Sequence, residues 1–191
     1  MINVDPKGVY IFSTDTVYGL GTALSNAAGI DRIYALKGRD AKKPMAVLVA
    51  SLEQADTLID WPTPLYREPL KKLWPGALTI VVPAKPEVSL KVRAGFATLG
   101  LRCPDHPVLQ AMLHTHGPWV ATSVNLAGQP PLMDEDLIRS SFQNQVDGFL
   151  FFEPRPNGQA STVIDLTVVP PKVLRPGPAD IRLLMDAGRM G

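Results

Sequence analysis

The chain has 191 residues, of which 46% are hydrophobic and 19% charged, enough for a sizeable core and too apolar for a disordered chain. Formal net charge is +1, so the overall field gathers neither nucleic acid nor a membrane surface, and a polyanion site has to come from local clustering. Cys103 is the one cysteine, which excludes an internal disulfide and a cysteine-built zinc site.

The N-terminal stretch MINVDPKGVYIF lacks the basic and apolar regions of a signal peptide. No apolar run approaches the roughly 20 residues of a membrane span. We therefore expect a cytoplasmic chain without membrane attachment. GVYIFS (Gly8–Ser13) reads as a buried strand. It runs into STDTVYGLGT, a loop so dense in hydroxyls, with two glycines, that it reads as a ligand wall whose glycines admit close approach. Ser25 to Lys37 places Ile30, Ile33, Tyr34 and Lys37 at helical spacing, with Ser25 as N-cap and Gly38 as a left-handed stop. MAVLVA (Met45–Ala50) is a strand, followed by helices near Leu52–Leu58 and Leu65–Leu73 and a strand at Leu78–Ala84. TLGLRCP (Thr98–Pro104) is a strand stopped by proline. A helix then runs from an Asp105 cap to Gly117, and WVATSVN (Trp119–Asn125) is a strand ending in polar residues. DEDLIRSSF is a short helix; GFLFFE, STVIDL and KVLR are strands; and a helix near Asp180–Ala187 completes the set. Strands that read as continuous apolar runs, alternating with helices, predict an α/β fold whose sheet is covered by helices. No linker, repeat or low-complexity tract interrupts it, so residues 1–191 are expected to form a single domain.

No GxxxxGK[ST] is present, which removes a P-loop, and no GxSxG elbow exists. In GLGTAL, Leu24 stands where a dinucleotide loop needs a small residue. His114 and His116 are two apart on a predicted helix and point to different faces, so they are solvated residues rather than metal ligands. LKGRDAKKP sets Lys37, Arg39, Lys42 and Lys43 at a helix C-terminus. By itself this suits the helix dipole. The Lys37 stem, however, shares the apolar face, so Lys37 and Arg39 could also clamp a phosphate or carboxylate. Ser123 and Asn125, at alternate positions of a strand end, face one side, at the edge where ligands of open α/β sheets sit; an ordinary self-capped turn is the competing account. Arg102 interrupts an apolar strand, which is costly unless it meets an anion. Ser161 and Thr162 enter one strand and Arg175 ends another. Together these strand ends could line one cationic hollow for a phosphorylated ligand.

The segments STDTVYGLG, LKGRDAKKP, LWPGALTIVV, LRCPDHP, ATSVNLAG, STVIDL and VLRPG, in that order from about residue 8 to 178, resemble the YrdC family. The resemblance implies an α/β fold with a twisted mixed sheet, flanking helices and a cationic concave face. It also implies L-threonylcarbamoyl-adenylate synthesis, in which ATP, L-threonine and bicarbonate or CO2 give threonylcarbamoyl-AMP and pyrophosphate. Partner proteins then transfer the group to tRNA. On the same ground Lys37 and Arg39 would be catalytic. Lys37, Arg39, Ser123, Asn125, Ser161 and Arg175 would hold ATP with Mg2+, and Thr14, Tyr18 and Arg102 would hold threonine or the adenylate. No protein ligand to the metal is assigned. Two departures stand out: SVNLAG carries Val124 and Ala127 where members place a small and a hydroxyl residue, and MAVLVA lacks a histidine that many members have. The competing reading is an RNA-binding module without catalysis whose basic face tracks a phosphate backbone; few exposed aromatics and a near-neutral charge weigh against it, though weak RNA binding remains compatible. A carbamoyl-transfer module of a hydrogenase-maturation protein would need further domains and a cysteine-rich zinc segment.

Overall fold

The computed structural model describes residues 4–38, 44–125 and 129–189. Among them, nine strands form one sheet in the order β7-β1-β2-β6-β3-β5-β4-β8-β9. The strands are β1 (Tyr10–Phe12), β2 (Gly19–Ala23), β3 (Ala46–Leu48), β4 (Leu78–Pro83), β5 (Thr98–Arg102), β6 (Trp119–Ser123), β7 (Gly148–Leu150), β8 (Thr162–Asp165) and β9 (Lys172–Arg175). The pairs β1·β7, β3·β5 and β4·β8 are parallel and the others antiparallel, so the sheet is mixed, as expected. Six helices flank it: α1 (Ala27–Leu36), α2 (Leu52–Asp56), α3 (Arg67–Leu73), α4 (Pro107–His116), α5 (Glu135–Phe142) and α6 (Arg182–Arg189). None of the described helices is long and apolar enough to cross a membrane.

Strand alternation sorts the side chains into two faces. Ile11, Leu20, Val47, Ile80, Leu101, Val120 and Ile164 point to one face. There they meet Ile30 and Ile33 of α1, Leu52 of α2, Leu70 of α3, Ile138 of α5 and Leu184 of α6 in the main core. On the opposite face, Phe12, Leu48 and Trp119 pack against Leu109, Met112 and Leu113 of α4. The expected covering of the sheet by helices is found: α1, α2, α3, α5 and α6 pack on the first face and α4 covers one end of the second.

Three local expectations are corrected. Segment 19–23 is a strand, not part of the loop. Its glycines depress strand propensity, yet the slot between β1 and β6 pairs every residue. A Cβ on Gly19 would lie 2.7 Å from the Phe12 ring, and one on Gly21 would lie 2.5 Å from the Val120 carbonyl oxygen. The close approach that these glycines permit is thus made by the protein's own aromatic ring and neighbouring strand. The cap of α1 is Asn26, whose Oδ1 accepts from the Gly29 N–H, rather than Ser25. Gly38 does adopt φ +50° beyond its end. The cap of α4 is His106 rather than Asp105. The residue before Pro107 is barred from helical backbone angles, and the His106 ring accepts from the Leu109 N–H at 3.3 Å. The other nitrogen of that ring lies 3.2 Å from the Pro154 carbonyl oxygen, tying the start of α4 to the loop after β7.

Candidate functional site

The middle of the second face is hollow because its side chains are small. Ala121, Ala46 and Gly100 are register partners across β6, β3 and β5. Val81 stands opposite Gly100, Thr79 opposite Arg102, and Val163 beside Thr79. These residues floor a cavity of about 380 Å³, walled by Thr14, Thr16 and Tyr18 on one side and Ser161 and Arg175 on another. That size lies toward the lower end of small-molecule sites. Gly100 has no positive φ to require glycine, and a Cβ there would meet nothing nearer than Thr79 Cγ2 at 3.8 Å. A glycine inside a strand with open space above it marks a place where something else comes close to the backbone.

The hydroxyls of the opening loop are hydrogen-bonded, Thr14 within the loop and Ser13, Thr16 and Tyr18 to other elements. Thr14 Oγ1 accepts from the Thr16 and Val17 N–H groups at 3.1 and 3.2 Å and donates to the Val17 carbonyl at 2.7 Å. Ser13 Oγ accepts from the Phe152 N–H at 3.0 Å. Tyr18 is buried, donates to Glu135 Oε1 at 2.7 Å and packs its ring edge-on to Phe151. Burial, and then this hydrogen bond, push its pKa well above the ordinary value. Thr14 and Tyr18 line the cavity, while the same hydroxyls tie the loop to its own backbone, to the segment after β7 and to α5.

Arg102 meets the anion that its burial demands. Its Nη2 donates to Asp15 Oδ1 at 2.5 Å, Nη1 to Thr16 Oγ1 at 2.5 Å, and Nε to the Gly76 carbonyl at 3.2 Å. Burial lowers its pKa while Asp15 opposes the shift. At the far side, Arg175 donates through Nε and Nη2 to the Ser161 carbonyl and hydroxyl, each at 3.0 Å. The Ser161 and Thr79 hydroxyls lie 2.9 Å apart.

Lys37 is buried, as its place on the apolar face of α1 required. Its ammonium donates to the Ser123 and Asn125 carbonyls at 2.9 Å each and to Asn125 Oδ1. Asn125 Oδ1 also accepts from the Ser123 hydroxyl at 2.9 Å. One cation therefore holds together both predicted residues at the end of β6. Among the described residues the cavity wall includes Ser123 but neither Lys37 nor Asn125. Arg39, Lys42, Lys43 and Ala127 lie outside the described residues, so the expected Lys37–Arg39 clamp is placed only in its first member.

Thr14, Tyr18, Arg102, Ser123, Ser161 and Arg175 thus reach one cavity, with Lys37 and Asn125 braced behind Ser123. Asp15, Thr16 and Thr79 are among the polar residues that sequence reasoning missed. A buried arginine in an apolar strand signals that an acid must exist, without saying which one. Thr79 is signalled as the lone hydroxyl in LTIVV. Among the described residues no group of three or more His, Cys, Asp or Glu side chains could hold a metal ion.

Fold and cavity define an α/β protein with a polar-walled hollow on one face of a mixed sheet. The family model described as telomere recombination, Sua5/YciO/YrdC, matches residues 4–177, and the chain belongs to this family. It is 35% identical over 176 residues to a Mycobacterium tuberculosis protein provisionally named a threonylcarbamoyl-AMP synthase, covering 92% of this chain and 81% of that one. It is 35% identical over 171 residues to the threonylcarbamoyl-AMP synthase of Bacillus subtilis, covering 88% and 49%. The crystal structure of Pyrococcus abyssi Sua5 complexed with L-threonine superposes with a TM-score of 0.86 at 32% identity, covering 95% of this chain and 54% of that one. The chain thus spans about half the length of the last two proteins.

Proposed function

We propose that this protein is an L-threonylcarbamoyl-adenylate synthase, a nucleotidyltransferase that joins L-threonine, bicarbonate or CO2 and ATP into threonylcarbamoyl-AMP with release of pyrophosphate. The observation that carries the reading is the cavity: residues from Thr14 to Arg175 converge on one hollow in a chain 32% identical to a protein crystallised with L-threonine. The names of the relatives favour this reading over a non-catalytic RNA-binding module.

In this reading the threonine amine adds to CO2 and loses a proton, giving a carbamate. The carbamate oxygen attacks the α-phosphorus of ATP, and the bond to pyrophosphate breaks. An anion has to approach a polyanion, so the protein's task is positioning and charge neutralisation. Arg175 and Ser161 hold phosphate oxygens, and Ser123 donates at the end of β6. Lys37 and Asn125 fix that end, and Arg39 adds a further cation. Thr14, Tyr18 and Arg102 bound the threonine side. Mg2+ enters as part of the nucleotide substrate, on phosphate and water oxygens. The product passes to transfer proteins that modify tRNA, which fits a cytoplasmic location.

The test is pyrophosphate release from purified protein with ATP, Mg2+ and bicarbonate, with and without L-threonine, together with mass detection of threonylcarbamoyl-AMP. Threonine-dependent release with the adduct is the expected result. A folded protein giving neither overturns the proposal.

A further inference from the structure

Two guanidiniums face the cavity, Arg102 from the end of β5 and Arg175 from the end of β9, and they differ in what they meet. Arg102 is paired with Asp15 at 2.5 Å, with side chains only 8% and 15% exposed. Arg175 is held by the neutral oxygens of Ser161. Among the described residues no carboxylate pairs with Arg175; burial alone shifts its ionisation, downward. Both guanidiniums line the one cavity, and the charge of Arg175 works with burial against protonation of Arg102. Asp15 sits in the opening loop, is absent from the cavity wall, and reaches the cavity through Arg102. The loop holds it in place from the other side, where the Asp15 and Thr16 carbonyls accept from the Asn157 and Gly158 N–H groups at 3.4 and 2.8 Å.

We infer that Asp15 is a positioning residue that sets the charge specificity of the cavity, cancelling Arg102 so that the polyanionic part of the ligand is directed to Arg175. The inference rests on the proposed reading only in taking that polyanion to be a nucleotide's phosphate chain. With Asp15 in place, one side of the hollow offers a neutral ion pair with hydrogen-bonding hydroxyls and suits the less charged part of the substrate. The other side offers an uncompensated guanidinium. Without Asp15 the cavity would carry two competing anion sites, and the phosphates could bind in the wrong place.

The experiment is calorimetric titration of inorganic pyrophosphate into the full chain, with no turnover, for wild type, Asp15→Asn, Arg102→Met and the double variant. A unit charge acting across one cavity, through an effective dielectric near 20, changes affinity by about tenfold. Asp15→Asn should bind pyrophosphate about tenfold more tightly than wild type, with a steeper loss in added salt. Arg102→Met, which leaves Asp15 unpaired, should bind more weakly, and the double variant should return to the wild-type value. Structural damage does not produce a gain of affinity, so tighter binding separates this role from a scaffolding one. Unchanged or weaker binding by folded Asp15→Asn overturns the inference. If Asp15→Asn does not fold, because a buried charge has lost its partner, the comparison of Arg102→Met with the double variant decides: removing Asp15 must restore affinity, and failure to do so overturns it equally. A protein that makes no threonylcarbamoyl-AMP would defeat the proposed function and leave this order of affinities still to be met.

Discussion

Replacing Gly100 by valine should block the cavity while leaving the fold standing. The ideal Cβ position has its nearest neighbours at 3.8 Å, Thr79 Cγ2, and 3.9 Å, Ala46 Cα, which is ordinary contact, and the backbone there is extended within β5. A β-branched residue suits a strand, and replacing an interior glycine recovers about 0.5–1 kcal/mol of backbone entropy. The melting temperature should therefore hold or rise by about 1–4 °C. The isopropyl group takes space on the order of two to three waters, at ~30 Å³ each, roughly a fifth of the 380 Å³ hollow. A ligand fitted to that floor would face an overpacking cost of about 1–3 kcal/mol, or roughly a 5- to 150-fold rise in KM at about 1.4 kcal/mol per decade. Thermal unfolding, and the KM values for ATP and L-threonine measured on the same preparation, check both halves. Unchanged KM values would show that no substrate lies over Gly100. A large drop in melting temperature would show that the space is not open.

Lys37→Ala removes the donor to three oxygens of the 123–125 turn; we expect kcat/KM to fall by at least about a hundredfold, with Lys37→Arg failing to rescue because a planar fork does not match three convergent oxygens. Arg175→Met should raise the KM for ATP by about tenfold or more, consistent with loss of a charge-assisted contact of about 1.5–3 kcal/mol, and the effect should exceed that on L-threonine in initial-rate kinetics. Burial pushes the Cys103 thiol from 9.0 up to about 11. The folded state therefore holds its proton more tightly than the unfolded chain, and the resulting stability is present below pH 9 and lost between about pH 9 and 11. Denaturant unfolding across that window should show a downward slope that flattens in Cys103→Ala, and a slope unchanged by the substitution would refute the assignment.

The strands of the sheet were legible wherever an apolar run carried β-branched residues, as in VYIF, MAVLVA and LTIVVPA. The strand at Gly19–Ala23 was not, because glycine carries no strand signal of its own and the pairing of β2 is imposed by β1 and β6. Ser123, Ser161 and Arg175 could be picked out as polar groups at strand ends, since alternation fixes which face they share. Their convergence could not be derived from spacing, because it depends on a strand order that places β6 beside β2 and β3, and β8 beside β4. The hydroxyls of STDTVYGLGT are an ambiguous signal, because a loop that must satisfy its own backbone and a loop that binds a ligand use the same residue types. The Asp15–Arg102 pair spans 87 positions, a relation no local pattern encodes.

Sheet order also governs when the cavity comes into being. Its wall is assembled from Thr14 through Arg175, and β1 pairs with β7 far along the chain. Loops that long must close before any of their contacts is gained, which makes folding slow compared with a helical bundle of similar size. A growing chain therefore completes the cavity wall only once β9 has been made. Ligand protects the whole molecule or none of it, adding RT ln(1 + [L]/Kd) to the global unfolding free energy. Hydrogen exchange with and without nucleotide should then slow β1, β6 and β8 together, as one cooperative unit.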